Sequence, residues 1–281
     1  MPAYQIILFY VQAAEEGHVS APKKNALSIP GQIKLLYKSA RQSNPDFLLT
    51  ILTTADTPLH GLDFEYERMD FEIDRRALMR ERNRVQLAYI EASAARLIPF
   101  VFLDTDILLN IDPLVLFQKP FDIGLTWRDN NDMPINGGVV LVRNSRPDAS
   151  MAFYRHLYEN QLNDPLELAH WFGEQRSMAK IVNLTPEQLR NTSEMFKEGV
   201  RYRFFSCDTH NYTPRCLGVF GRKKILSPAL YHFKGSTARF MGEFWTYHLD
   251  KNSDRIAFRH VRLMALRMKL RIQRIWEKAR R

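Results

Sequence analysis

Leu97-Ile-Pro-Phe-Val-Phe-Leu-Asp-Thr-Asp-Ile-Leu-Leu109 joins an apolar run to two carboxylates one residue apart. Phe100, Val101, Phe102 and Leu103 have the composition of a buried strand, and Asp104-Thr105-Asp106 stands at its carboxyl edge. In open α/β sheets ligands bind at the carboxyl ends of the strands. Two carboxylates are costly to bury there unless something positive sits between them. A hard divalent cation that also grips a diphosphate satisfies both. An isolated Asp-x-Asp has a plainer use, in which Asp104 caps a turn and Asp106 faces water. The segments on either side decide between the two.

Upstream, Tyr4–Val11 carries no charge in eight positions and predicts a central first strand. Residues 12–24 are polar and broken by Gly17 and Pro22, as a loop is. Ser28-Ile-Pro-Gly opens a helix over 32–42, with Ile33, Leu36, Tyr37 and Ala40 on one face, and Phe47–Thr53 is a second strand. Strand, helix and strand at this spacing make a βαβ unit and a parallel sheet. Residues 64–73 fit a short strand or a loop. A long helix over 75–95 then leads into the central strand, with Leu78, Val85, Ala88, Tyr89 and Ala92 in register. Downstream, 107–117 gives a short strand and a turn into a small helix, and 121–127 and 139–142 are further strands. Arg128 to Gly138 forms a polar loop between them, and its Asn136-Gly137 is also a hairpin-turn signal. Helices follow over 150–162 and 166–181. Residues 182–200 are polar and cover an edge, and a strand begins at Tyr202. His210 and Asn211 fit either the mouth of a site or a turn. Residues 225–231 deliver His232, an imidazole at the end of an apolar run. The expected fold is α/β: one Rossmann-like domain over 1–250 with a mostly parallel central sheet, and a basic amphipathic helix over 251–281.

The chain has 281 residues, 45% hydrophobic and 25% charged, ordinary values for a globular protein with a substantial core. It has no run of eighteen apolar residues, and its first residues, Met-Pro-Ala-Tyr, lack a basic region before an apolar stretch. Cys207 and Cys216 are spaced for a loop disulfide, but without a secretion signal the expectation is reduced thiols in a cytosol. The net charge of +9 sits in one place. Residues 255–281 hold ten Lys and Arg against Glu277, leaving a neutral body, which excludes a nucleic-acid-binding body.

Four segments in order, Phe102-Leu-Asp-Thr-Asp106, Pro134-Ile-Asn-Gly-Gly-Val-Val-Leu-Val142, Trp171-Phe-Gly-Glu-Gln175 and Tyr231-His-Phe-Lys-Gly235, make the chain resemble metal-dependent nucleotide-sugar glycosyltransferases of the GT-A type. The nearest look is to the retaining family eight enzymes and related nucleotide-diphospho-sugar transferases. The resemblance implies Asp104, Asp106 and His232 as metal ligands, with Mn²⁺ first and Mg²⁺ as the alternative. It implies donor contacts from Arg80 or Arg84, Thr105, Asn136, Gly137, Gly138, Lys234 and Gly235, and puts Glu174 and Gln175 beside the transferred sugar. It also implies that the loop after the first strand holds the nucleotide base. The family commonly has Asp-Gln where this chain has Glu174-Gln175, and has Gly before Lys where this chain has Lys234-Gly235. Arg80 and Arg84 equally suit a solvated face paired to Glu81 and Glu91. The implied activity is transfer of a hexose or N-acetylhexosamine from a nucleotide sugar, with uridine the family's usual base, to a glycan or lipid-linked acceptor, with retention.

Two other classes share parts of this pattern. A haloacid-dehalogenase-type phosphatase also places Asp-x-Asp after an apolar strand, but has it near the amino terminus with Thr or Val where this chain has Leu108. The other class is a non-catalytic carbohydrate-binding protein on the same fold. In the tail, Phe258, Val261, Met264, Ala265, Met268, Ile272, Ile275 and Trp276 share a helical arc of about 120° that holds none of the segment's charges. An apolar face with basic flanks suits an in-plane helix on an anionic membrane, which would place the chain peripherally on the cytoplasmic face. The arc also suits packing on the domain, and Leu263, Leu266 and Leu270 suit a homodimer.

Overall fold

The computed structural model describes residues 2–12, 27–163, 172–214 and 228–251, together with Met268 and Ile272. An eight-stranded sheet runs through the middle, in the order β3-β2-β1-β4-β7-β6-β9-β8. Its strands are β1 (Tyr4–Phe9), β2 (Phe47–Thr53), β3 (Glu67–Asp70), β4 (Phe100–Leu103), β6 (Ile123–Trp127), β7 (Ile135–Val142), β8 (Glu194–Lys197) and β9 (Val200–Ser206). A separate two-stranded ladder joins β5 (Ile107–Leu109) to β10 (Leu230–His232). β1 pairs in parallel with β2 and β4, β2 with β3, and β6 with β9, whereas β7 runs antiparallel to both β4 and β6. The mostly parallel Rossmann-like expectation holds.

Period-two alternation sorts the side chains into two cores, one on each face of the sheet. Ile7, Phe100, Phe102, Val140 and Val142 face one core, while Ile6, Leu8, Val101, Leu103, Val139 and Leu141 face the other. Helix α1 (Ile29–Ser43) covers the second face through Ile33, Leu36 and Ala40. It starts where Ser28 accepts a hydrogen bond from the Gly31 amide at 3.3 Å, with a proline in the first turn. Helices α2 (Leu78–Ser93) and α3 (Pro147–Leu162) cover the first face, and α4 (Gly173–Val182) joins them there. A third cluster, around Tyr231, Phe233, Met241 and Phe244, packs the carboxyl-terminal segment onto Leu108.

The helix expected over 75–95 divides into a 3₁₀ turn, Arg75–Ala77, and α2. Residues 64–73 contribute β3. The edge-covering segment 182–200 itself supplies β8, the last strand of the sheet, after a short helix, Pro186–Asn191. One expectation is corrected. Asn136-Gly137-Gly138 lies inside β7, and the turn of the β6–β7 hairpin comes earlier. Its hydrogen bonds run from the Arg128 amide to the Pro134 carbonyl and from the Asp132 and Met133 amides to Asn130 Oδ1. Asn130 supplies the Asx geometry that makes the turn, leaving Asn-Gly free for the strand. Residues 13–24, the first six residues (166–171) of the helix expected over 166–181, Cys216, residues 225–227 and the tail over 255–281, apart from Met268 and Ile272, lie outside the described residues.

Phe102 sits at the crowded centre of the first core, within 5.3–6.3 Å of the rings of Phe100, Tyr154 and Tyr89. Phe102→Ala should lower stability by about 3–5 kcal/mol. Urea unfolding checks this, and a loss below about 1 kcal/mol would mean that the core does not pack as described.

Candidate metal and donor site

β4 ends at Leu103, so Asp104 is the first residue past the sheet, and its amide donates to the Gly138 carbonyl at 3.0 Å. Three residues on, β5 starts and pairs antiparallel with β10, putting Ile107 opposite His232. The Phe233 amide donates to the Asp106 carbonyl at 2.8 Å. This second ladder brings a histidine more than a hundred residues away onto the aspartate pair. His232 Nε2 lies 3.3 Å from Asp104 Oδ2 and 3.1 Å from Asp106 Oδ1. Donor atoms of all three side chains lie within 4.8 Å of one another.

Gly138 makes the room for this. A Cβ there would sit 2.2 Å from His232 Cε1 and 2.7 Å from Asp104 Oδ2, closer than any side chain tolerates. Gly137 does the same on a smaller scale, where a Cβ would lie 3.3 Å from the Glu174 carboxyl carbon. The register of β7 on β6 shifts between Leu125 and Thr126, which pair with Val140 and Asn136. The glycines occupy that irregularity, where a strand bends and re-aims its neighbours.

Arg82, on α2, reaches under the site. Its Nη1 donates to Asp104 Oδ1 at 2.8 Å and its Nη2 to the Gly137 carbonyl at 3.1 Å, while its Nε lies 3.7 Å from Glu174 Oε2. Asp104 therefore spends one oxygen on Arg82 and turns the other to His232. Burial alone would raise the Asp104 carboxyl, but Arg82 and then His232 outweigh it and hold it well below the usual carboxylate range. For His232 burial disfavours the charged ring, and the Asp106 and Asp104 carboxylates more than reverse this, so its pKa is raised. Glu174 behaves differently. It is 3% exposed, its Oε1 has no hydrogen-bond partner, and burial pushes it up to about 7 despite Arg82. Glu174 in turn raises Arg82, which favours an ion pair where the Glu174 value favours a neutral acid. The 3.7 Å contact decides between them: it is too loose to offset burial of the carboxylate.

The remaining expected residues fall as follows. Thr105 is half-buried and donates to Gln32 Oε1 at 3.2 Å, tying the site to the start of α1. Asn136 is buried, and its Oδ1 accepts from the Gly138 amide at 2.9 Å. Gln175 Oε1 accepts from Arg128 Nη2 at 2.9 Å. Lys234 follows His232 by two residues, and burial lowers its pKa. Gly235, at φ +55°, turns the chain into a 3₁₀ helix, Gly235–Phe240. Arg80 pairs with Asp74 and Glu81, and Arg84 with Glu81 and the Glu72 carbonyl. No contact joins either arginine to the aspartates or His232. Arg82 makes that contact instead, and periodicity contained the signal: it precedes Val85 by three residues and Tyr89 by seven, on the buried stripe. Asn211, expected at a mouth or in a turn, is 1% exposed and lies behind His232, with Oδ1 2.9 Å from the ring Nδ1.

The donor set fits a divalent cation. Two free carboxylate oxygens and one imidazole nitrogen are ligands that Mn²⁺ and Mg²⁺ accept, and the oxygen that Arg82 occupies is the one turned away from the cluster.

No protein-family model matches the chain, and no curated protein matches it in sequence. Solved structures do. A glycosyltransferase involved in glycosylation of the major capsid of PBCV-1 superposes with a TM-score of 0.51 at 15% identity, over 86% of this chain and 98% of that one. The chain has the GT-A glycosyltransferase fold. The glycosyltransferase GlyE of Streptococcus pneumoniae TIGR4 is also similar, with a TM-score of 0.50 at 12% identity, over 89% of this chain and 65% of its own. The chain thus spans just under two thirds of GlyE. Within the GT-A sheet, the aspartate pair occupies the carboxyl edge of β4, next to β1.

Glu174 carries a pH signature. With a folded pKa of about 7 against an ordinary value near 4.3, the folded protein holds the extra proton between those limits. Stability linked to Glu174 is therefore fully present below the ordinary value and lost as pH rises towards 7. Glu174→Gln should melt with a shallower decline over that window than the wild type. Parallel declines in melting temperature would show that Glu174 titrates as a solvated carboxylate.

Proposed function

We propose that this chain is a metal-dependent glycosyltransferase, moving a hexose or N-acetylhexosamine from a nucleotide sugar, with UDP as the carrier, to a glycan or lipid-linked acceptor. The convergence of Asp104, Asp106 and His232 at the carboxyl edge of a GT-A sheet carries this reading. A divalent cation held by these three, Mn²⁺ first and Mg²⁺ second, would supply charge neutralisation for the departing nucleoside diphosphate. Lys234, two residues past His232, adds a cation on the same side, and Gly235 lets the backbone turn close to the phosphates. Arg82 holds Asp104 in place so that its outer oxygen stays directed at the site. Glu174 lies beyond Arg82, where its carboxyl, in the fraction ionised near its raised pKa of about 7, would stabilise positive charge building on the sugar ring, and Gln175 is steadied by Arg128. The resemblance to retaining enzymes favours retention, in which an oxygen of the leaving phosphate receives the acceptor proton and no dedicated base is needed. Nothing in the fold supports the phosphatase or the non-catalytic reading.

Asp104→Asn, Asp106→Asn and His232→Gln should each abolish Mn²⁺-dependent release of nucleoside diphosphate from UDP-sugars, and each should weaken UDP binding in the presence of Mn²⁺ only. Calorimetry with and without the metal separates the two effects. Equal losses in both conditions, or turnover near wild type, would overturn the metal assignment.

The basic tail is a candidate membrane contact that would bring the site to a lipid-linked acceptor. Among the described residues no helix is long and apolar enough to cross a membrane. Met268 and Ile272, four residues apart, are helical and 62% and 51% exposed, so these two apolar side chains are not covered by the domain. Each basic group near an anionic surface adds about 1 kcal/mol, enough together for reversible docking. The protein should sediment with anionic but not neutral liposomes at low salt. Changing Arg259, Arg262, Arg267, Arg271 and Arg274 to Gln should abolish this, and unchanged sedimentation would remove the tail from the interaction.

A further inference from the structure

A buried chain of hydrogen bonds runs from the backbone of β7 to the imidazole of His232, and its polarity is fixed from one end. The Gly138 amide can only donate, and it donates to Asn136 Oδ1 at 2.9 Å, so that atom is the carboxamide oxygen. The same oxygen lies 3.1 Å from the Asn211 carboxamide, which must present its nitrogen there. A second anchor agrees. Thr126 Oγ1 donates to the Asn136 carbonyl at 3.1 Å, leaving its lone pairs to accept from Asn211 Nδ2 at 2.9 Å. With both Nδ2 contacts assigned, Asn211 Oδ1 is the atom that faces His232 Nδ1 at 2.9 Å. An oxygen there requires Nδ1 to carry a proton.

Asn211 has little freedom to break this chain. It is 1% exposed, and the next residue is pinned on both sides: the Tyr212 amide donates to the Leu230 carbonyl at 3.0 Å, and the His232 amide to the Tyr212 carbonyl at 2.8 Å. We infer that Asn211 is a positioning residue that holds neutral His232 in the tautomer with its proton on Nδ1 and its lone pair on Nε2. Nε2 is the nitrogen that faces Asp104 Oδ2 and Asp106 Oδ1, to which it donates only in the charged ring; in the neutral ring its lone pair faces the position where a cation would replace that proton. The opposite tautomer would aim N–H at the place where a cation has to bind and would set a bare Nδ1 against a carboxamide oxygen. A backbone amide on β7 thereby determines, through two asparagines, which end of an imidazole on β10 can act as a ligand. The role for a metal rests on the proposed function; the tautomer does not.

The test uses full-length protein with ¹⁵N-labelled histidine and no metal, at a pH above the ring's titration, with His232 assigned by its loss in His232→Gln. The wild type should show a protonated Nδ1 and an unprotonated Nε2, and Asn211→Leu should lose that preference. Mn²⁺ affinity, by calorimetry, should fall by about 10–100-fold in Asn211→Leu, the range for removing a partner that orients a ligating histidine. A wild-type ring protonated on Nε2 alone would overturn the inference, whether or not Asn211→Leu folds. Mn²⁺ binding by Asn211→Leu within twofold of wild type would overturn its consequence for the metal. Wild-type protein that shows the Nδ1–H tautomer but binds no Mn²⁺ would support the relay and defeat the metal reading instead.

Discussion

Two carboxylates meeting at the end of a buried strand are the constraint that the rest of this structure answers. Asp104 and Asp106 cannot both stay ionised beside an apolar core without nearby positive charge or donors. Elements remote in sequence supply them. α2 inserts Arg82 beneath Asp104, and β10 carries between the two His232, which donates from Nε2 while its ring is charged; β7 separately fixes the Asp104 backbone through the Gly138 carbonyl. The antiparallel β5–β10 ladder exists outside the main sheet, and its effect is to lay His232 against Asp106.

The second requirement is space. Imidazole, carboxylate and guanidinium meet over β7, and two residues of that strand lack side chains where they meet. A strand pays for adjacent glycines in lost packing and added chain entropy, so their presence in the middle of β7 implies close approach by something else. Here it is His232 and Asp104 over Gly138, and Glu174 over Gly137. The strand has therefore given up its own contacts to let side chains from three other elements converge.

Much of this was legible in the sequence, because the governing signals are local. Uncharged apolar runs marked β1, β2 and β4, a serine before Pro30 and Gly31 marked the start of α1, and Asp104-Thr-Asp106 marked the edge. His232 was legible only through resemblance, since no local rule pairs it with residues so far away. One reading went astray for a physical reason. Asn136-Gly137 is a turn signal in isolation, but Asn130 makes the turn and tertiary packing draws the glycines into the strand. Among the arginines of α2, Arg80 and Arg84 drew attention as basic residues near the helix start. The choice among Arg80, Arg82 and Arg84 depends on helical phase, and phase gives the buried side to Arg82. The sequence pointed to Asn211 as a site or turn residue but not to its bond with His232, because a hydrogen bond behind a ligand has no periodicity.

The sheet's outer strands bear on how copies of the chain can meet. β3 and β8 are four residues each and read Glu-Arg-Met-Asp and Glu-Met-Phe-Lys, with charge at both ends. Short, charged borders are poor templates for another strand, because pairing would strip water from groups with no partner on the incoming chain. Growth of the sheet from one molecule into the next is thereby discouraged at both margins. Self-association, if the chain uses it, is directed to surfaces other than these two borders.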